Sequence, residues 1–265
     1  MDTEIPVLVQ FEAGICTITL NRPAALNCLD PKMIGLIEAA TGQLSRGERP
    51  EVRCVLIKAN GRAFCTGADL VAIQKMAGGS ETGTLEFRQQ VCDVLHRLDQ
   101  LPQPVIASVQ GTVAAGGLEL LLCCDFVVAS RGVRFGDLHS NVGLMPTWGA
   151  TARLPRRIGL SAASRLMFTG EFVDAEQMAI WGLVTDLVDA DELETHARRL
   201  AETIASKSPL GLARMKRLMK TGLETKVCVA LDAELEMAVV HQKSFDRKEG
   251  IDAFVQKRKP VFRGC

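Results

Sequence analysis

Hydrophobic and polar positions along the chain follow two different periods. Alternating or β-branched apolar residues predict strands at residues 5–11, 15–20, 52–60, 104–111 and 125–130. Apolar residues spaced three or four positions apart predict helices that follow Asp30-Pro31 and that cover residues 87–98 and 116–124. Asp30 can cap the first of these helices, and Pro31 suits its first position. Residues 77–84 are rich in Gly, Ser and Thr and predict a loop.

The order of these elements predicts the fold class. Strands separated by helices over the first 190 residues indicate an α/β fold with a largely parallel sheet. From residue 191 onward the pattern is helical, and residues 230–245 predict one long amphipathic helix. Since no linker-like stretch interrupts the chain, we expect a core of residues 1–190 followed by a C-terminal helical region, 191–265.

Composition and charge exclude several classes of partner. Lys plus Arg equals Asp plus Glu at 31 each, so no overall field attracts nucleic acid or an anionic membrane. No apolar run is long enough to span a bilayer. The nine cysteines include no CxxC pair, which favours free buried thiols in a reducing compartment. With no signal peptide in the sequence, we expect a cytoplasmic protein.

Two glycine-bearing segments are suited to chemistry by the backbone. In GRAFCTGADL (61–70) a strand end runs through Gly67 into Ala68, and in QGTVAAGGLELLL (110–122) a helix begins at Gly116. Glycine allows close approach to the backbone, and a helix start offers unpaired N–H groups. Glu119 is the only charged residue between Gln110 and Asp125. Each feature alone is also explained by a tight turn or by an acid that favours the helix dipole.

Four segments at these separations resemble the crotonase (enoyl-CoA hydratase/isomerase) superfamily. They are LNRPAALNCLDPKM (20–33), GRAFCTGADL (61–70), QGTVAAGGLELLLCCDFVVAS (110–130) and KEGIDAFVQKRKPVFRG (248–264). The resemblance covers essentially the whole chain. It implies a crotonase-like spiral of ββα units with a C-terminal helical trimerisation region, in homotrimers or dimers of trimers.

The resemblance also implies roles for individual residues. The backbone N–H groups of Ala68 and Gly116 match an oxyanion hole for a thioester carbonyl, and Glu119 matches the glutamate that activates water. In this family CoA binds around the first loop, and a basic residue near the C-terminus approaches the CoA phosphates of an adjacent subunit. The matching positions are Ala24, Ala25, Thr66, Ala68, Asp69, Leu70 and Lys257. Lys257 is equally well explained as a solvated basic residue at a helix end.

The segment FGDLHSNVG (135–143) departs from the family pattern. Relatives usually have FG-x-P-E here, so His139 takes the place of the second catalytic glutamate. An imidazole exchanges protons near neutral pH, which fits a catalytic or substrate-orienting role. If the segment is extended, Asp137 lies on the same face and can orient the ring. The alternative is a structural histidine.

We therefore expect an enoyl-CoA hydratase that acts on 2-enoyl-CoA thioesters. A non-catalytic acyl-CoA-binding protein, a thioester hydrolase and an isomerase of the same superfamily remain alternatives. The chain has no tyrosine, which argues against decarboxylating and ring-forming relatives. The resemblance calls for no metal or separate cofactor, since CoA arrives with the substrate. Met76, Phe87 and Trp148 are candidates for an acyl pocket, although core packing explains each as well.

Overall fold

The structure is a computed structural model that describes residues 5–76 and 81–265. The strands are β1 (Val7–Glu12), β2 (Ile15–Leu20), β3 (Cys54–Ala59), β4 (Ala63–Cys65), β5 (Val105–Val109), β6 (Thr112–Ala114), β7 (Phe126–Ser130), β8 (Arg134–Gly136), β9 (Phe172–Asp174) and β10 (Asp186–Val188). The helices are α1 (Pro31–Ser45), α2 (Leu70–Met76), α3 (Glu81–Asp99), α4 (Gly116–Leu121), α5 (Ala150–Ile158), α6 (Leu160–Thr169), α7 (Ala175–Ile180), α8 (Leu193–Ala205), α9 (Pro209–Glu224), α10 (Val227–His241) and α11 (Phe245–Val255). Short 3-10 turns cover Pro23–Ala25 and His139–Val142.

The strands form two sheets, in the orders β1-β2-β3-β5-β7-β10 and β4-β6-β8-β9. In the first sheet only the β1–β2 hairpin is antiparallel, so the sheet is largely parallel, as the sequence predicted. The pairs β3–β4, β5–β6 and β7–β8 each place their first strand in the larger sheet and their second in the smaller one. Helices follow each pair, so the chain advances as a spiral of ββα units, which confirms the predicted fold class.

The main hydrophobic core lies between the two sheets and helices α1 and α3. Its largest fully buried side chains include Phe64 on β4 and Phe135 on β8. A smaller cluster on the other face of the large sheet packs against α8. Because the large sheet is covered on both faces, β2, β5 and most of β3 and β7 are continuously buried, as expected for parallel strands.

The C-terminal part of the described chain is helical, as predicted. Two ion pairs hold α9 against the core: Lys216 Nζ lies 2.6 Å from Asp125 Oδ2, and Lys220 Nζ lies 2.6 Å from Asp99 Oδ1. Helix α10 leaves apolar side chains exposed in the single chain, at Val227, Val229, Leu231, Leu235, Val239 and Val240.

Two details of the sequence prediction were wrong. The expected single helix at 230–245 ends at His241, and a new helix begins at Phe245 because Ser244 accepts a hydrogen bond from the N–H of Arg247. The second half of the expected loop at 77–84 is helical, because α3 already begins at Glu81. Residues 77–80 lie outside the described residues. No helix in the described ranges is both long and apolar enough to cross a bilayer.

Candidate active site

Glu119 occupies the first turns of α4 with its carboxylate in the protein interior. The side chain is 1% exposed. Its Oε1 atom accepts hydrogen bonds from the backbone N–H groups of Trp148, at 2.7 Å, and Ala150, at 3.1 Å. Those donors lie just before and at the start of α5. One carboxylate oxygen is thus fixed by the backbone, and Oε2 faces His139.

His139 lies opposite this free carboxylate oxygen. Its Nε2 atom is 4.0 Å from Oε2 of Glu119, and its Nδ1 atom is 2.9 Å from Oδ1 of Asp137. A carboxylate oxygen only accepts, so Nδ1 carries a proton and the Nε2 edge is the one that faces Glu119. Because hydrogen bonds to water are shorter than 3.2 Å, one water molecule can contact both Nε2 and Oε2 across this separation.

The contact between Asp137 and His139 has a different origin from the one expected. The segment is not extended: β8 ends at Gly136, Leu138 adopts a left-handed backbone conformation with φ of 59°, and His139 begins a 3-10 turn. This bend brings the imidazole back to the carboxylate two residues earlier. Asp137 is 1% exposed, and its Oδ2 atom has no hydrogen-bond partner in the described residues.

Burial and charge shift the protonation of this pair. Burial raises the pKa of Glu119, and the N–H groups of Ala150 and Trp148 and the charge of His139 offset this only in part. Burial lowers the pKa of His139, but the hydrogen bond and charge of Asp137, with the charge of Glu119, outweigh burial and leave this pKa raised. Both side chains therefore keep their protons to higher pH than exposed groups of the same kind.

The first loop presents the N–H of Ala68. Leu29 donates its N–H to Gly67 O at 2.7 Å, and Asp69 donates its N–H to Leu29 O at 2.9 Å. These two bonds hold the loop on both sides of Ala68, which pairs with Leu29 as a parallel bridge. The N–H of Ala68 points away from that bridge. Among the described residues it has no hydrogen-bond acceptor.

The second loop presents the N–H of Gly116. Ala115 precedes it with φ of 46°, an unfavourable conformation for a residue with a Cβ. The N–H of Ala115 donates to Gly136 O at 3.0 Å, while that of Gly116 has no acceptor within the described ranges. The two loops touch, since a Cβ on Gly67 would lie 3.2 Å from Gly116 N. The structure thus brings both predicted donors to one place beside Glu119.

Arg22 stabilises the first loop through contacts on both sides of the Leu29–Ala68 bridge. Its guanidinium lies 3.0 Å from Asp69 Oδ2 and 3.2 Å from Asp30 Oδ2, and it donates to Cys28 O at 2.8 Å. Asp69 caps α2 by accepting from the N–H of Ala72. That hydrogen bond lowers the pKa of Asp69, and the Arg22 guanidinium lowers it further. Together they outweigh burial, which raises this pKa. One cation therefore ties the start of α1 to the start of α2, next to Ala68.

The sequence profile of the enoyl-CoA hydratase/isomerase family matches residues 10–265. The chain belongs to this family. It is 35% identical to 2,3-dehydroadipyl-CoA hydratase of Escherichia coli K12, over 97% of this chain and 98% of that protein. It is 33% identical to 1,2-epoxyphenylacetyl-CoA isomerase of the same organism, again over 97% and 98%. A crystal structure of enoyl-CoA hydratase from Bacillus anthracis superposes with a TM-score of 0.92 at 31% identity, over 98% of this chain and all of that one.

In this member of the enoyl-CoA hydratase/isomerase family, most residues predicted to bind CoA lie around the first loop. The 3-10 turn of Ala24 and Ala25 adjoins the loop, because Thr66 Oγ1 donates to Leu26 O at 3.3 Å and lies 3.1 Å from Cys28 Sγ. Asp69 precedes α2, and Leu70 begins it with an exposed side chain. These positions form one surface beside the N–H of Ala68.

Lys257 is not brought to this surface within the single chain. It follows the end of α11, where its own N–H donates to Phe254 O at 3.2 Å. In the described part of the chain it forms no hydrogen bond or ion pair with another predicted site residue.

Two of the three acyl-pocket candidates prove to be buried. Trp148 is 5% exposed and Phe87 is 2% exposed, and their rings meet edge to face with centroids 6.3 Å apart. Both belong to the main core, yet the Trp148 ring also contacts Gly116. The side chain of Met76 lies outside the described part of the structure.

Sequence reasoning missed two supports of this site. The first is Arg22, for which the nearby acids Asp30 and Asp69 were the available signal. The second is the pair of backbone donors that hold Glu119, which have no side-chain signature. The buried Asn27 adds to the first support: its Oδ1 accepts from the N–H of Arg22 at 2.8 Å, and its Nδ2 donates to Ala63 O at 2.9 Å.

Proposed function

We propose that this protein is an enoyl-CoA hydratase that adds water across the double bond of 2-enoyl-CoA thioesters. The observation that carries the proposal is the position of the Glu119 carboxylate. One of its oxygens is held by two backbone N–H groups, and the other faces an imidazole at 4.0 Å, beside two unpaired backbone donors. This arrangement supports a mechanism in which an oxyanion hole, a base and an acid act together.

The N–H groups of Ala68 and Gly116 stabilise charge on the thioester oxygen. Addition at the β-carbon moves an electron pair through the conjugated system onto that oxygen, which gives a thioester enolate. Donors fixed in a buried site favour this enolate over the neutral carbonyl, and each such donor contributes about a hundredfold to a thousandfold in rate. The backbone hydrogen bonds of Gly67 and Asp69 with Leu29 hold the loop on either side of Ala68. The N–H of Ala68 is therefore already in position before the oxyanion forms.

Glu119 acts as the base toward water. Its Oε2 atom accepts a proton from a water molecule as the water oxygen bonds to the β-carbon. The N–H groups of Trp148 and Ala150 keep the carboxylate in a fixed rotamer throughout. Because burial raises its pKa, the carboxylate is a stronger base than an exposed glutamate.

His139 acts as the acid toward the α-carbon. The enolate electron pair forms a C–H bond with the proton on Nε2, and the imidazole is left neutral. Transfer of the proton from Glu119 to His139 then restores the starting state, so atoms and charge balance over the cycle. Asp137 orients the ring and supports its charged form.

CoA binds along the surface formed by Ala24, Ala25, Thr66, Asp69 and Leu70, and no metal or separate cofactor takes part.

Exposed apolar residues on α10 support packing against other copies in a trimer or a pair of trimers. Lys257 would then approach the CoA of an adjacent subunit. The nine free cysteines favour a reducing compartment such as the cytoplasm.

The test is the loss of the conjugated enoyl-thioester absorbance on addition of the purified protein. Crotonyl-CoA and a longer 2-enoyl-CoA serve as substrates, and binding of each is measured in parallel. We expect steady-state turnover of at least one of them. Binding without consumption would instead support an acyl-CoA-binding protein. Release of free CoA thiol would support a hydrolase, and a shifted double bond an isomerase.

A further inference from the structure

Trp148 links the two halves of the proposed site. Its backbone N–H donates to Oε1 of Glu119 at 2.7 Å. Its six-membered ring lies against Gly116 so closely that a methyl group on Gly116 would overlap with the ring carbon Cζ3. The residue therefore contacts both the proposed base and a proposed oxyanion donor. An acyl chain whose carbonyl is bound at Gly116 and whose β-carbon faces Glu119 would therefore lie near Trp148.

The indole N–H of Trp148 is a buried donor without a partner. The side chain is 5% exposed, and Nε1 has no hydrogen-bond acceptor in the described residues. Buried tryptophan N–H groups normally find an acceptor, because leaving one unpaired costs free energy. Its aromatic neighbour, Phe87, offers no oxygen or nitrogen. The carbon atoms of the indole that touch Gly116 lie on the edge opposite to Nε1, so the indole N–H is directed away from Gly116.

We propose that the indole N–H of Trp148 donates a hydrogen bond to an oxygen atom on the acyl group of the substrate. The preferred substrates are then 2-enoyl-CoA thioesters whose chain carries a hydroxyl or carbonyl oxygen beyond the double bond. A neutral oxygen fits better than a carboxylate, because the buried acids Glu119 and Asp137 lie in the same site. This inference rests on the proposed function and names its substrate class.

Three matched substrates test the inference. One is unbranched hexenoyl-CoA with the double bond at the 2-position, and the others carry a hydroxyl on the last carbon or on the one before it. We expect kcat/KM to favour an oxygenated chain by about tenfold in the wild type, the worth of one hydrogen bond. In Trp148→Phe, which keeps an aromatic ring and loses the N–H, this preference should fall to near unity.

Phe87→Leu is the matched control. It removes the aromatic edge packed against Trp148 and keeps the indole N–H, so the preference for an oxygenated chain should persist. Each variant is compared by its own ratio between substrates, which removes general losses of activity. A wild type without preference, or an equal preference in the wild type and Trp148→Phe, would overturn the inference.

Binding measurements keep the inference testable if the protein does not hydrate these substrates. The ratio of Kd values for the same acyl-CoA pairs reports the hydrogen bond without turnover, so failure of the proposed function and failure of this inference are distinguishable. If Trp148→Phe does not fold, Trp181→Phe removes the other of the two tryptophans in the chain, so that all tryptophan fluorescence comes from Trp148. Its emission should then shift more with the oxygenated chain than with the plain chain, and an identical emission with both would contradict the inference.

Discussion

The Nε2 atom of His139 lies 4.0 Å from Oε2 of Glu119, with the imidazole held from behind by Asp137. The imidazole thus lies between two buried carboxylates, and a water molecule beside the Nε2–Oε2 pair can contact both of these atoms. In the proposed mechanism, His139 serves at the position where the family resemblance implies a second glutamate. Both groups can pass a proton to or from a molecule bound between them.

Replacing Glu119 by Gln should remove the base with little change in shape. The amide oxygen can still accept from Trp148 and Ala150, so we expect the fold and acyl-CoA binding to be retained. Hydration should fall by about a hundredfold to ten-thousandfold. Steady-state absorbance assays and a binding titration measure the two effects separately. Undiminished turnover in this variant would refute the proposed mechanism.

Replacing His139 by Gln should change the pH dependence of kcat/KM. The proposed step needs Glu119 ionised and His139 protonated, so activity is lost as pH falls through the raised pKa of Glu119 and as pH rises through the raised pKa of His139. The variant should turn over more slowly and lose the alkaline limb. His196→Gln is the control, because His196 forms a similar pair with Asp186, at 3.3 Å, outside the site. An unchanged profile in His139→Gln would make His139 a structural residue.

Replacing Asp137 by Asn should move the alkaline limb without abolishing it. The amide oxygen still accepts from Nδ1, but the negative charge that raises the pKa of His139 is removed. The pKa of His139 should therefore fall, and activity should be lost at a lower pH than in the wild type. The limb is read from kcat/KM against pH. A limb that stays in place or moves to higher pH would exclude Asp137 as the residue that sets the protonation of His139.

Replacing Arg22 by Met should disturb the oxyanion loop. Arg22 joins Asp30 and Asp69 on either side of the strand-like pair Leu29 and Ala68. Because small displacements of a catalytic donor are costly, we expect kcat to fall by about tenfold to a hundredfold. Arg22→Lys should recover part of the rate. Arg46→Met, which breaks an exposed pair with Glu48, should leave kcat unchanged. Equal kcat in the Arg22 and Arg46 variants would show that Arg22 does not position the loop.

Replacing Lys216 by Met should destabilise the fold by about 3 kcal/mol, the lower end of the range for breaking a buried pair. Lys216 is buried and contacts Asp125 at 2.6 Å and Gln103 O at 3.0 Å, and the variant leaves these acceptors with fewer donors. Lys58→Met breaks an exposed pair with Glu194 and should cost under about 1 kcal/mol. Urea unfolding at fixed protein concentration measures both. Similar losses in the two variants would contradict the account of how α9 is held.

Local periodicity predicted five of the six strands of the larger sheet, whereas the spiral of ββα units was expected from the family resemblance. Strand β2 matched its expected bounds, and Asp30 caps α1 as the sequence indicated, through the N–H of Met33. The break before Phe245 was missed because apolar residues continue on both sides of it. A Ser at position 244 with an acid two residues later was the available signal for a new helix start.

The candidate site was predictable only in part. Glu119 and the glycine segments are visible in the sequence, because an isolated charge and unusual backbone freedom both leave a pattern. The pairing of His139 with Asp137 was anticipated for a wrong reason, since the bend at Leu138 rather than an extended strand creates it. The N–H groups that hold Glu119 come from residues about thirty positions away and have no side-chain signature, so only the three-dimensional structure reveals them.

The central claim is tested most directly by the identity of the product formed in water enriched in heavy oxygen. Wild-type protein is incubated with crotonyl-CoA and, separately, with a longer 2-enoyl-CoA, and the products are analysed by mass spectrometry. We predict a 3-hydroxyacyl-CoA that carries the heavy oxygen on its β-carbon, with the thioester intact. Heavy oxygen in a released carboxylic acid, or both enoyl-CoA thioesters left unchanged while bound, would contradict hydration at this site.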